Sequence, residues 1–158
     1  MFKKILKLLG CIMVCQSAGL LGSNFVANGM ATWYPALQKP FFNPPDWIFG
    51  ITWAVIYTLM GIALFMIWQT KKETTAIAIY IFISQLVLNA AWSIIFFGLH
   101  QIAFACIELI TLWAFILLMI LKFYEIKKHT LWLLLPYIIW VSFAVYLNIM
   151  LWYLNPAY

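Results

Sequence analysis

The sequence predicts an all-α integral membrane protein, a bundle of five transmembrane helices that forms a single domain over residues 1–158. Hydrophobic residues make up 67% of the chain and charged residues 8%, whereas a soluble domain carries about a quarter charged residues. The apolar residues fall into five runs, each near the roughly 20 residues that cross a bilayer. Because so few charges cannot cover a water-facing surface, a soluble domain is excluded.

A proline-rich segment at about residues 28–45 separates the first two runs and is expected to cover a pocket. Four prolines lie between residues 35 and 45. Proline lacks an N–H and restricts the residue before it, so no regular helix fits there. An apolar run follows Pro45, with Trp53 about two turns inside it. A stiff aromatic loop therefore leads directly into the second helix.

Short polar turns separate the other runs. Asp46 stands where the second helix should begin and is expected to cap its N-terminus. The connection at residues 98–101 is short, so the third and fourth helices should be antiparallel neighbours. The expected spans are, in order, about 5–27, 46–68, 76–97, 102–121 and 131–154.

The lysines predict the orientation in the membrane. Five spans place the termini on opposite sides; eight lysines fall on the side of the N-terminus, and Lys39 falls on the other. Because positively charged loops stay cytoplasmic, we expect a cytoplasmic N-terminus, with the C-terminus and the proline-rich loop outside. Lysines at helix ends match membrane topology rather than nucleic-acid binding. The eight are Lys3, Lys4, Lys7, Lys71, Lys72, Lys122, Lys127 and Lys128.

Three expected helices each carry a stripe of aromatic and polar side chains at helical spacing. Polar groups that face lipid are costly, so the stripes should point inward and enclose a cavity for a flat, mildly polar ligand between the second, third and fifth helices. The same amides would alternatively serve only as hydrogen bonds between helices, worth about 1 kcal/mol each; both interpretations stay open. The stripes are Phe49, Trp53, Tyr57 and Met60; Gln85, Asn89, Trp92 and Phe96; and Tyr137, Trp140, Ala144 and Asn148.

Other residues indicate the membrane interface, packing or transport. Glu108 lies well inside a span, where a carboxylate is a functional candidate; it would couple transport or bond to a buried group. The three cysteines are interpreted as small buried side chains, and no metal site is expected. Neither His100 nor His129 lies near a nucleophile, so hydrolysis is not expected. Tryptophans near span ends fit an interfacial belt: Trp33, Trp47, Trp68, Trp132 and Trp152.

Ten short motifs, in order along nearly the whole chain, resemble the tryptophan-rich sensory protein family, which includes bacterial TspO proteins and the mitochondrial translocator protein, or peripheral-type benzodiazepine receptor. The resemblance implies a homodimer in the bacterial cell membrane that needs no cofactor of its own. The residues that carry it include Trp33-Tyr34, Leu37-Gln38-Lys39-Pro40, Pro44-Pro45-x-Trp47, Gln85-Leu86-x-Leu88-Asn89-x-x-Trp92, Phe96-Phe97-Gly98, Pro136-Tyr137 and Leu147-Asn148.

The resemblance also implies a ligand and a site. The family binds porphyrins such as protoporphyrin IX, benzodiazepine-type drugs and isoquinoline carboxamides, and some members promote light-dependent degradation of protoporphyrin IX. Trp53 and Trp140 are the implied redox partners of the excited porphyrin. The alternative function is transport of porphyrins or similar hydrophobic solutes without chemistry, with Glu108 as the coupling residue. The implied ligand-binding residues are Tyr34, Pro44, Trp53, Asn89, Trp92, Phe104, Trp140 and Ala144.

Overall fold

Five long helices form a closed ring in the computed structural model, which describes residues 2–70 and 72–157. α1 packs against α2 and α3, α4 packs between α3 and α5, and α2 closes the ring against α5. All five are long and apolar enough to cross a membrane, so the predicted all-α bundle of five transmembrane helices is confirmed. The helices are α1 (Phe2–Thr32), α2 (Asp46–Trp68), α3 (Thr75–Ser93), α4 (Ile102–Ile126) and α5 (Thr130–Leu154).

The helix bounds differ from the expected spans mainly where polar residues continue a helix. α1 continues past residue 27 to Thr32, and α4 continues past residue 121 to Ile126, because a helix tolerates polar residues that end a purely apolar run. α2 has the expected bounds, but Asp46 is its first helical residue and makes no capping hydrogen bond, while Pro45 occupies the cap position. The expected cap is therefore wrong. The Asp46 carboxylate instead lies in the first turn, where it interacts favourably with the helix dipole.

The turn after α3 is a π-helix, Ile94–Gly98, and it shapes the end of the bundle. The N–H of Leu99 donates to the carbonyl of Ile94 at 2.9 Å, across five residues. His100 then adopts a positive φ of 57°, which reverses the chain into α4. Phe96 and Phe97 of this turn are both buried, with ring centroids 4.8 Å apart.

The two ends of the bundle differ in chemistry. The loop end carries residues 33–45, the π-helical turn and the end of α5; the lysine end carries the start of α1 and the other two turns. Among the described residues, every lysine but Lys39 lies at the lysine end, whereas Lys71 lies outside the described residues. The predicted orientation of the protein in the membrane depends on this unequal distribution of lysines.

Side-chain hydrogen bonds fix residues 33–45 at the loop end, both to Asn155 at the end of α5 and within the segment itself. Asn155 accepts a hydrogen bond from the N–H of Gln38 at 2.9 Å and donates to its carbonyl at 3.0 Å. The hydroxyl of Tyr34 donates to Asn43 Oδ1 at 2.7 Å. Burial raises the pKa of Tyr34 to about 12, so this hydroxyl keeps the proton that it donates.

Candidate functional site

A cavity of about 330 Å³ lies between α1, α2 and α3, in the half of the bundle nearer the loop end. Its volume falls within the range of small-molecule sites, about 300–1,000 Å³. We call it the main cavity. Its walls are largely apolar and aromatic, and its lining includes Gly19, Ser23, Trp53, Tyr57, Asn89 and Trp92.

Aromatic rings from two of the expected stripes form the α2 and α3 walls of the main cavity. Trp53 stacks on Tyr57, with ring centroids 5.5 Å apart and an interplanar angle of 27°. Trp92 stacks on Phe96 at 5.2 Å and 20°. Trp53 and Trp92 are half-buried, so each ring keeps part of its surface free for a ligand. Flat aromatic walls of this kind favour a flat apolar ligand.

A buried hydrogen-bond network forms the floor of the main cavity, toward the lysine end. The Tyr57 hydroxyl donates to Asn89 Oδ1, and Asn89 Nδ2 donates to the Tyr137 hydroxyl oxygen at 3.1 Å. The Tyr137 hydroxyl donates in turn to Gln85 Oε1 at 2.8 Å. The two interpretations of the polar stripes therefore apply to different residues: Gln85 and Tyr137 link helices, whereas Tyr57 and Asn89 also line the cavity.

The α1 wall of the main cavity was not expected from the sequence, which indicated a cavity between the second, third and fifth helices. α1 supplies Gln16, Gly19, Ser23, Ala27 and Met30 to this wall. Their spacing of three or four residues could have indicated this wall from the sequence, because side chains at that spacing share one face of a helix. α5 lies farther from the cavity because its large buried side chains pack into the centre of the bundle.

A second cavity, of about 30 Å³, lies between the main cavity and the loop. It has room for about one water molecule. Tyr34 and Ala144 of the implied site line it together with Trp92, which also lines the main cavity. Asn148 orients this wall, since its Oδ1 accepts from Trp92 Nε1 at 3.2 Å and its Nδ2 donates to the carbonyl of Ile102 at 3.1 Å.

The structure does not bring all the implied site residues together. Trp140 faces a groove of about 610 Å³ on the outer surface between α2 and α5. Phe49 lines the main cavity and contacts Trp140 with ring centroids 5.8 Å apart, so it stands between the two. Phe104 is 65% exposed on the outside of α4. Pro44 is half-buried in the loop, and neither it nor Phe104 lines these three cavities.

Two further residues differ in position from the pattern in the sequence. Trp33 is 8% exposed and stacks on His100 at 4.4 Å, so it belongs to the buried loop end and its assignment to the interfacial belt is wrong. The carboxylate oxygens of Glu108 are buried, have no hydrogen-bond partner among the described residues and line none of the three cavities. No group of three His, Cys, Asp or Glu within residues 2–70 and 72–157 could hold a metal ion.

Comparison with known proteins identifies the family. The sequence model of the TspO/MBR family matches residues 11–154. The chain is 40% identical to the tryptophan-rich protein TspO of Chlorobaculum tepidum over 158 residues, which cover 99% of this chain and 100% of that protein. It is 40% identical to the tryptophan-rich protein TspO of Archaeoglobus fulgidus (96% and 98% covered) and 33% identical to the human translocator protein (84% and 80% covered). The chain is an integral membrane protein that belongs to the TspO/MBR family.

Proposed function

We propose that the protein binds protoporphyrin IX in the main cavity and promotes its light-dependent oxidative degradation. The observation that carries the proposal is the half-buried indole of Trp53 in the wall of an apolar cavity of small-molecule size. A planar macrocycle would lie against Trp53 and Trp92, because aromatic rings attract one another in offset-stacked or edge-to-face geometry. The polar groups of Ser23 and Asn89 would fix its orientation.

The proposed chemistry uses light, dioxygen and an indole. One electron passes from the Trp53 indole to the excited porphyrin, and the reduced porphyrin passes it to dioxygen, which becomes superoxide. The indole radical then takes an electron back from the porphyrin. The net change is a one-electron oxidation of the porphyrin by dioxygen, and the indole is restored. Trp140 is proposed as a second donor that acts across Phe49.

Illumination of the purified protein with protoporphyrin IX tests the proposal. Porphyrin absorbance would be followed under light in the parent, in Trp53→Phe and in Trp132→Phe. Trp132 is a matched control because it is 72% exposed at the lysine end, away from the main cavity. We expect Trp53→Phe to lose most of the bleaching and Trp132→Phe to retain it. Bleaching by Trp53→Phe at the parent rate would show that the indole role is wrong.

Transport without chemistry is the competing proposal, and the position of Glu108 does not favour it. A coupling carboxylate should contact the solute or its pathway, whereas Glu108 lines none of the three cavities. Porphyrin flux into proteoliposomes that is independent of light and abolished by Glu108→Gln would support transport and argue against degradation.

The proposal extends to other ligands and to assembly. Benzodiazepine-type and isoquinoline carboxamide ligands are also aromatic and largely apolar, so they should compete with protoporphyrin IX for the main cavity. We also propose a homodimer in the bacterial cell membrane with a cytoplasmic N-terminus. Cross-linking in membranes tests the dimer, and labelling of a cysteine introduced at exposed Phe41 with a membrane-impermeant reagent tests the orientation.

A further inference from the structure

We propose that the main cavity opens sideways into the lipid, through the seam between α1 and α2 in the half nearer the loop end, and that flat apolar ligands dissolved in the membrane enter and leave there. This route rests on the proposed function, since it carries the ligand of that site. The opening is called the lateral opening below. It follows from three features: where α1 touches α2, where α1 touches α3, and which cavity residues are also exposed.

The α1–α2 seam is sealed toward the lysine end. A Cβ added to Gly61 of α2 would lie 2.6 Å from the Cα of Ile12 of α1, so the two backbones are in close contact there. One turn farther along α1, Gln16 Nε2 donates to the carbonyl of Ala54 at 3.0 Å and to Thr58 Oγ1 at 3.1 Å. These contacts close the seam between the two helices at the lysine end of the main cavity.

At Gly19, α1 still contacts α2, because a Cβ added there would lie 2.5 Å from a ring carbon of Tyr57. Farther toward the loop end, α1 packs against α3. A Cβ added to Gly22 would lie 2.7 Å from the Cβ of Ser93 in α3, and one added to Gly29 would lie 2.8 Å from a ring carbon of Phe97. Both glycines are buried. α1 is one continuous helix, and along this part of it the main cavity lies between α1 and α2.

The rim of this space is made of residues that line the main cavity and are also exposed on the outside of the bundle. A residue can do both only where the cavity reaches the surface. The side chains at the rim are mostly small, so they leave a gap that larger side chains would close. The rim residues are Leu20, Ser23 and Ala27 of α1, and Gly50 and Ala54 of α2.

The described residues are more tightly packed toward the loop end. A cavity of about 30 Å³ lies there between the main cavity and the loop, and Tyr34, 3% exposed, lines it. The pairing of Asn155 with Gln38 holds the loop to α5. The rim, by contrast, lies within the apolar spans α1 and α2, where a lipid-soluble ligand is most concentrated. With the orientation that the lysines predict, the opening faces the outer leaflet.

Association kinetics in nanodiscs test the lateral opening. Protoporphyrin IX would be supplied from donor vesicles, and binding followed by quenching of tryptophan fluorescence in a stopped-flow instrument. Ala54→Phe and Ala27→Phe narrow the rim from opposite sides. Ala114→Phe is the matched control, because Ala114 is an exposed alanine of α4 outside the three cavities. Asn155→Ala removes the two hydrogen bonds that join Asn155 to Gln38 of the loop and tests the competing route.

We expect both rim variants to slow association by about tenfold, within the one to three decades by which association rates differ among variants of one site. Dissociation should slow as well, while Ala114→Phe and Asn155→Ala keep the parent rates. The lateral opening is overturned if both rim variants associate at the parent rate, if they weaken binding only by faster dissociation, or if Asn155→Ala accelerates association. If the parent protein does not bind protoporphyrin IX at equilibrium, the proposed function itself is overturned. That result differs from one in which the parent binds and the rim variants associate at the parent rate, which overturns only the lateral opening.

Discussion

Removal of one hydroxyl, by Tyr137→Phe, should measurably destabilise the bundle. The Tyr137 side chain is 1% exposed, and its hydroxyl donates to Gln85 Oε1 at 2.8 Å and accepts from Asn89 Nδ2 at 3.1 Å. Phenylalanine keeps the ring and its packing but breaks both bonds, which join α5 to α3. Two buried polar atoms on α3 then lose their partner, with no bulk water to replace it.

The magnitude follows from the two bonds that are lost. Hydrogen bonds between transmembrane helices contribute about 0.6 kcal/mol each on average and about 1.7 at most. The loss of two therefore lowers the free energy of unfolding by about 1–3 kcal/mol. Tyr153→Phe is the matched control, because Tyr153 is 78% exposed near the end of α5, and exposed substitutions of this kind change stability by about 0.5 kcal/mol or less.

Equilibrium unfolding in mixed micelles, followed by circular dichroism, measures both variants. A loss no larger for Tyr137→Phe than for Tyr153→Phe would refute the assignment of the network as a stabilising link. A double-mutant cycle with Gln85→Leu adds a second check. Because the two residues share a bond, the double variant should lose less than the sum of the single losses.

Three more outcomes are expected. Gly61→Ala should lower the free energy of unfolding by about 1–3 kcal/mol, because the added Cβ would lie 2.6 Å from the Cα of Ile12. Gly10→Ala is the control and should leave the free energy of unfolding unchanged, because nothing lies within 4 Å of its added Cβ. Thermal unfolding compares the two variants. Burial raises the pKa of Tyr34 from 10 to about 12, so its contribution to stability is complete below pH 10 and is lost as pH rises through 12; Tyr34→Phe should lack this loss when melting temperatures are compared across that window. Asn148→Leu removes the oxygen that accepts a hydrogen bond from Trp92 Nε1, so the Trp92 ring loses the contact that orients it. Ligand affinity, measured by fluorescence titration, should fall more in this variant than in Tyr153→Phe.

The sequence predicted those parts of the site that lie on single helices. Periodicity alone places Trp53 with Tyr57, and Asn89 with Trp92, on common faces, and these four residues do line the main cavity. Trp140 shows the limit of that reasoning. It shares a stripe with buried Tyr137 and Asn148, but its ring faces a groove on the outside, because a helix face is wide enough for its edges to meet different neighbours.

The division of the sequence into five long apolar runs determined by itself that the chain has five membrane spans, because the transfer of apolar side chains out of water depends on their number in each run and not on their tertiary partners. Only the tertiary structure decided which helices enclose the cavity. The position of α1 against α2 and α3 depends on contacts of Gly61 with Ile12 and of Gly22 with Ser93, each between residues far apart in the chain. Such close approaches are fixed by the mutual fit of two surfaces, and the spacing of residues within one helix carries no information about that fit.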